Sequence, residues 1–173
     1  MTHEQAVALM RAGAPAPGGV WADLGAGSGT FARALSEVLG PAGLVIAVDR
    51  DVRRLEPLGP SALGAPVRTL RADFRRPLEL PELDGLLLAN ALHFVARQES
   101  VLRQLVRYLK PGGTALFLEY DTNRASPWNP HPLPALRLRQ LAEATGLRAP
   151  QERARTPSAF GGRELYLVHA VKA

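Results

Sequence analysis

Hydrophobic positions along the chain fall into two regimes. Leu44-Val45-Ile46-Ala47-Val48 is a continuous apolar run rich in β-branched residues. It predicts a parallel strand buried on both faces. Further strands are predicted at 19–24, at 66–71, over Asp84 to Asn90, and over Thr114 to Glu119. Between them apolar residues recur at helical spacing. Phe31, Leu35, Val38 and Leu39 predict a helix over about 28–39, stopped by Gly40-Pro41. Val101, Leu102, Leu105, Val106 and Leu109 predict another over about 97–109, ended by Lys110-Pro111-Gly112-Gly113. A last helix, about 134–145, stops at Gly146, and strands near 147–156 and 164–171 flank Ser158 to Gly162. Residues 2–12 form a short helix with Ala6, Val7, Leu9 and Met10 as its apolar side, broken by the Pro- and Gly-rich stretch from Gly13 to Gly19. The alternation is that of an α/β domain.

One stretch organises the rest. Val20-Trp21-Ala22-Asp23-Leu24 leads as a strand into Gly25-Ala26-Gly27-Ser28-Gly29-Thr30, and the 28–39 helix follows. Glycine permits positive φ and lets a ligand approach the backbone. A helix N-terminus adds free N–H groups and a positive dipole end. A polar or charged cofactor is therefore the expected occupant. The glycine spacing is not the G-x-G-x-x-G/A of a dinucleotide fingerprint.

Asp23 to Gly29 reads D-x-G-x-G-x-G, and Asp49 follows twenty residues after Gly29. With Leu109-Lys110-Pro111-Gly112-Gly113 before a strand, this resembles the class I S-adenosylmethionine (SAM)-dependent methyltransferases over about residues 18–173. The resemblance implies a Rossmann-like, doubly wound, seven-stranded, mostly parallel sheet with one antiparallel strand. It also implies a single SAM-binding domain over 19–173, behind a leader of 1–18 too short for a large lid. It places Gly25, Ala26, Gly27 and Gly29 at the methionyl part of SAM, with Asp23 nearby. Asp49 would take the ribose, Asp73 and Phe74 the adenine, and the Asn90 carbonyl the methionyl amine. Arg50 stands where the family often has an apolar residue over the adenine, and its planar guanidinium can stack there.

The residues leave alternatives open. Two carboxylate oxygens on Asp49 can accept from a vicinal diol, or can cap a helix over 51–57, for which Asp51 is a second cap. Asp73 can serve as a turn acid before Arg75 and Arg76. Methyl transfer is an in-line displacement in which the protein mainly positions the reactants. Where the acceptor must lose a proton, the candidate bases are His93, Tyr120 and His131. His93 comes first because it follows the fourth strand, although a packed or capping histidine fits that place equally. The polar, Pro-rich segment 120–134 is expected to be mobile without ligand and to wall the acceptor pocket through Trp128 and Tyr120, opposite His93.

Composition narrows the chemistry. The chain has 173 residues, 46% of them hydrophobic, which suits one domain with a full core. It has no cysteine, which excludes disulfides, thiolate metal sites and a cysteine nucleophile. No His/Asp/Glu cluster shows metal-ligand spacing. The net charge is +5, carried almost wholly by arginines scattered from Arg11 to Arg163. They make either a solvated surface or a nucleic-acid footprint, and clustering on one face decides between the two. Asn90-Ala91-Leu92-His93 lacks the proline pair of nucleic-acid amino methyltransferases, which disfavours a nucleic-acid acceptor. No run approaches a membrane span, and the N-terminus lacks the order of a signal peptide, so a cytoplasmic protein is expected. The expected activity is SAM-dependent methyl transfer to a small molecule. The alternatives are an RNA or protein acceptor, or a non-catalytic SAM-binding subunit.

Overall fold

A computed structural model describes residues 1–13, 17–54, 64–158 and 164–173. Seven strands form one sheet: β1 (Gly19–Leu24), β2 (Gly43–Asp49), β3 (Val67–Arg71), β4 (Leu83–Ala89), β5 (Leu109–Tyr120), β6 (Leu147–Pro157) and β7 (Glu164–Lys172). Their order is β3-β2-β1-β4-β5-β7-β6. All neighbours from β3 to β5 pair in parallel, and β7 runs antiparallel to both β5 and β6. This is the expected sheet with a single reversed strand.

Four helices cover the two faces: α1 (His3–Gly13), α2 (Thr30–Leu39), α3 (Gln98–Val106) and α4 (Ala135–Ala144). The apolar side read for the first helix is the buried one. Ala6, Val7, Leu9 and Met10 join α2 and the sheet in one core cluster, so α1 is packed into the domain. The apolar residues of α3 and α4 fill a second cluster on the other face. The strands between carry near-continuous apolar runs because both their faces are covered.

Three boundaries differ from the sequence reading. α3 stops at Val106, and Lys110 to Gly113 lie within β5 rather than ahead of it. Leu83 pairs with Leu109 and Gly85 with Thr114, so the Lys-Pro-Gly-Gly run is looped out between two paired points of one strand. Pro111 has no N–H to give a ladder, and Gly112 takes φ 76°, which suits it to such a bulge. α2 begins at Thr30 rather than 28, because Gly29 holds a left-handed conformation at its N-cap. The helix expected over 51–57 lies partly outside the described residues; within them, Val52–Arg54 make one 3-10 turn. Parts of the 13–19 break and of the 158–162 connection also lie outside them.

Chain order reverses direction between β1 and β4. In open α/β sheets the crevice at that point, outside the carboxyl ends of the strands, is where ligands bind. Asp49 ends β2, and Asn90 directly follows β4, so both stand on that edge.

Candidate active site

The turn after β1 folds back over the end of β2. Gly25 and Ala26 N–H groups both donate to the Val48 carbonyl, at 2.8 and 3.0 Å. Gly25 sits at φ 81°, where a Cβ would fall 3.0 Å from the Ala91 methyl and 3.2 Å from the Phe74 ring. Gly27, at φ 56°, has open space beside it, its nearest neighbour for a Cβ being the Gly25 carbonyl at 4.0 Å. No side chain caps the N-terminus of α2. The result is a backbone cradle, open to a ligand and edged by a positive helix end.

This cradle forms one side of a cleft of about 420 Å³. Gly25, Ala26, Gly27, Asp49, Arg50, Asp73, Phe74 and Asn90 all line it. Thr30, Phe31, Ala91 and the half-exposed Phe94 line it too, and sequence reasoning did not single them out. Their signal was only proximity to the glycine turn and to the end of β4. Asp23 and Gly29 are not on the cleft wall.

The acids have separate environments. Asp49 accepts from the Gly27 N–H and the Asp51 N–H, both at 2.9 Å. It therefore braces two turns, and a carboxylate so engaged keeps lone pairs for a ligand diol. Asp73 lies in a bidentate pair with Arg75, with contacts of 2.6 and 2.9 Å. The hydrogen bond from that guanidinium holds its carboxyl down to about 2. Asp73 is thus an ionised acceptor whose oxygens are shared with Arg75, which joins the turn role to a place on the cleft wall.

Asp23 is 1% exposed, and its Oδ2 has no partner among the described residues. Burial, and then the charge of Asp49, pushes its carboxyl up to about 7, against a smaller opposing pull from the Ala32 N–H. The folded apo-protein holds a proton on Asp23 between about pH 4 and 7 that the unfolded chain has released, so this group's contribution to stability falls as pH rises through that window. A cationic ligand reverses the preference by favouring the carboxylate. Affinity for SAM is therefore expected to rise about tenfold from pH 6 to pH 8, with proton release on binding near pH 7. Calorimetry in buffers of different ionisation heat checks this, and Asp23→Asn should flatten the profile; a wild-type profile already flat contradicts it.

Asn90 leaves β4 at φ 52°, a left-handed conformation that asparagine tolerates. Its N–H donates to the Leu118 carbonyl at 2.7 Å, and its buried Oδ1 is unpartnered among the described residues. The turn beyond it is anchored by Glu119, which sequence reasoning missed. Glu119 Oε1 accepts from the N–H groups of Leu92 (2.9 Å) and His93 (3.3 Å), and His93 Nδ1–H donates to Oε2 at 2.6 Å. Both side chains are buried, His93 at 2% and Glu119 at 1% exposure. A lone acid in the apolar run Ala115-Leu116-Phe117-Leu118-Glu119 was the signal that could have found it.

The three candidate bases lie next to one another, but of the three only Tyr120 lines either cavity. His93 lines neither the cleft nor the cavity beside it; its ring packs 4.3 Å from Phe94 and 5.9 Å from Tyr120, centroid to centroid. His131 is tied through its backbone, its N–H donating to the His93 carbonyl at 3.0 Å and its carbonyl accepting from Gln98 Nε2 at 2.8 Å. Tyr120 lines a second cavity of about 550 Å³, which shares Ser28, Thr30, Phe31 and Asn90 with the cleft. The rest of its wall comes from Met1, Gln5, Thr156, Pro157, Ser158 and Leu165. The 120–134 segment contributes only Tyr120. Its later half is drawn to the α3/α4 face by Gln98, by His93 and by the Tyr166 hydroxyl, which donates to the Leu133 carbonyl. Trp128 is left 83% exposed and lines neither cavity.

Residues 22–117 match the family described as a methyltransferase domain, over more than half of the chain. The chain belongs to that family. A ubiquinone/menaquinone biosynthesis C-methyltransferase, UbiE, of Ectopseudomonas mendocina is 30% identical over 119 residues, 66% of this chain and 45% of that protein. The chain thus spans under half the length of the curated relatives it matches. Among solved structures, the Burkholderia thailandensis 1,6-didemethyltoxoflavin-N1-methyltransferase, which carries S-adenosylhomocysteine, aligns with a TM-score of 0.76 at 20% identity, over 99% of this chain and 78% of that one. TrmN from Thermus thermophilus aligns with a TM-score of 0.65 at 26% identity, over the whole of this chain and 49% of its own. The methyltransferase fold explains why the glycine cradle, the acid ending β2 and the turn after β4 meet at one edge.

Proposed function

We propose that the chain is a cytoplasmic SAM-dependent methyltransferase that acts on a small, uncharged acceptor. The observation that carries this reading is the pair of adjoining cavities. A cleft edged by the glycine cradle and by Asp49, Asp73 and Phe74 opens beside a second cavity that shares one wall with it. The cofactor fits what the residues offer. Gly27 leaves room for close approach, Asp49 keeps lone pairs for a ribose diol, and Asn90, on the cleft wall, carries an unpartnered Oδ1 that would be free for the methionyl amine. When bound, SAM supplies its own electrophilic methyl group.

The chain's own residues then hold, orient and exclude. The backbone around Gly25 to Gly27 seats the cofactor, and Phe74, packed against Gly25, limits where the adenine lies. Phe31 and Asn90, common to both cavities, would hold acceptor and cofactor in line where the two cavities meet. Among the described residues no charged side chain lines the second cavity; Phe31, Tyr120, Pro157 and Leu165 give it apolar surface, with Gln5, Ser28, Thr30 and Thr156 as hydrogen-bonding groups. Such a wall suits a neutral, partly aromatic molecule. Of the three candidate bases, Tyr120 is the one placed to touch it. The same lack of charge in that cavity weighs against an RNA acceptor.

Titration calorimetry tests the assignment. S-adenosylhomocysteine is expected to bind in the micromolar range, roughly −7 to −8 kcal/mol, and NAD is expected not to compete. Tight NAD binding with no heat from S-adenosylhomocysteine would sink it. Binding of S-adenosylhomocysteine without methyl transfer to any neutral acceptor would point instead to a SAM-binding subunit.

A further inference from the structure

Four of the nineteen arginines gather in one place. A groove of about 680 Å³ runs along α3 toward α4, and Arg97, Arg103, Arg107 and Arg137 line it, with Glu99 as its one acid. That acid is taken up by Arg103, whose Nη2 lies 2.8 Å from it and also donates to the Ala144 carbonyl at 2.8 Å. Arg103 is thus a bridge between the two helices. Arg97 and Arg107 have no ion pair or side-chain hydrogen bond among the described residues, and Arg137 has only a 3.3 Å contact to the Pro132 carbonyl.

Two further features make the groove a donor-rich site. Arg97 occupies the N-cap of α3 and gives no side-chain cap, so the helix presents its N-terminal N–H groups beside the arginines. Gln104 Nε2, on the groove wall, is a buried donor with no acceptor among the described residues. Buried donors left unpaired are rare and costly in a folded protein. Gln98, 4% exposed, also lines the groove, and its Oε1 is an unpartnered acceptor there. Four guanidinium groups and a positive helix end therefore line one opening that holds a single neutralised acid, with the orphaned Gln104 amide buried in its wall.

We propose that this groove binds the phosphate groups of an oligophosphate or phosphodiester ligand. Guanidinium planes match phosphate oxygens two by two, and phosphate also suits a helix N-terminus. The groove shares no lining residue with the cleft or the second cavity, although its Ala96 and Arg97 directly follow Val95 of the cleft wall. α3 and α4 belong to the core on one face of the sheet, whereas the second cavity is lined from α1 and α2 on the other. The groove's ligand is therefore a second molecule that docks the domain, not the methyl acceptor.

The test uses the whole chain and three probes: tripolyphosphate, a ten-nucleotide single-stranded RNA, and an oligoglutamate decamer. Tripolyphosphate should bind in the micromolar range, and the RNA with a log–log salt slope of about −2, as for three neutralised phosphates. The triple variant Arg97→Ala, Arg107→Ala, Arg137→Ala spares the bridging Arg103. It should bind at least thirtyfold more weakly, with S-adenosylhomocysteine affinity and melting temperature unchanged. If that variant fails to fold, Arg107→Gln alone should lower both affinity and salt slope. RNA binding more than tenfold tighter than tripolyphosphate assigns the phosphates to a nucleic-acid backbone; equal or weaker RNA binding assigns them to a free oligophosphate. The proposal is overturned if neither phosphate probe binds, if the variants bind as well as the wild type, or if oligoglutamate binds as tightly. None of these results depends on the cofactor, so they stand apart from the test of the methyltransferase reading.

Discussion

Asp49→Ala is expected to weaken S-adenosylhomocysteine binding about a hundredfold while the protein stays folded. A carboxylate that accepts from both ribose hydroxyls makes two charge-assisted hydrogen bonds, each worth roughly 1.5–3 kcal/mol. Water replaces part of that in the variant, and a hundredfold corresponds to about 2.7 kcal/mol. The structure adds a second loss. Asp49 also accepts from the Gly27 and Asp51 N–H groups, so alanine frees the glycine cradle as well. Asp49→Asn separates the contributions, because one amide oxygen can still accept from one turn. An intermediate loss is expected for Asn. A dissociation constant unchanged in the folded alanine variant would reduce Asp49 to a turn brace.

Glu119→Ala is expected to have the largest effect on stability. The carboxylate accepts from two backbone N–H groups and a ring N–H, all buried. Removing one partner of a buried charged network costs about 3–5 kcal/mol. In a chain of 173 residues each kcal/mol shifts the melting temperature by about 2–4 °C, so a fall of about 10 °C is expected by calorimetric scanning. The turn that Glu119 holds carries Ala91, Phe94 and Val95 to the cleft wall. Glu119→Gln, nearly isosteric, should therefore recover much of the stability and still bind S-adenosylhomocysteine more weakly than the wild type. Its amide can present an oxygen to the two backbone donors or to the His93 ring, but not to both sides at once. A Glu119→Ala protein that melts within 2 °C of the wild type would remove the clamp from the account.

The amino-acid sequence by itself determined the layers of the fold and one edge of the site. Apolar runs such as Leu44 to Val48 and helical repeats such as Phe31, Leu35 and Leu39 depend on local periodicity, and the described elements follow them to within a few residues. The cleft residues were legible for the same reason. Gly25 to Gly27, Asp49, Asp73, Phe74 and Asn90 each stand at or just past the carboxyl end of a strand, and a parallel sheet aligns those ends without further information. Tertiary structure alone decided what lies at right angles to the strands. Sequence placed His93 just past β4, and only the fold set it against Glu119, twenty-six residues away in the chain, which accepts from its ring. The 120–134 segment could cover either face, and three hydrogen bonds to partners on other elements drew its later half away from the second cavity. The arginines could be dispersed or gathered, and only the packing of α3 beside α4 set Arg137 across from Arg107. Each of these rests on contacts between residues distant in sequence, where no local spacing carries a signal.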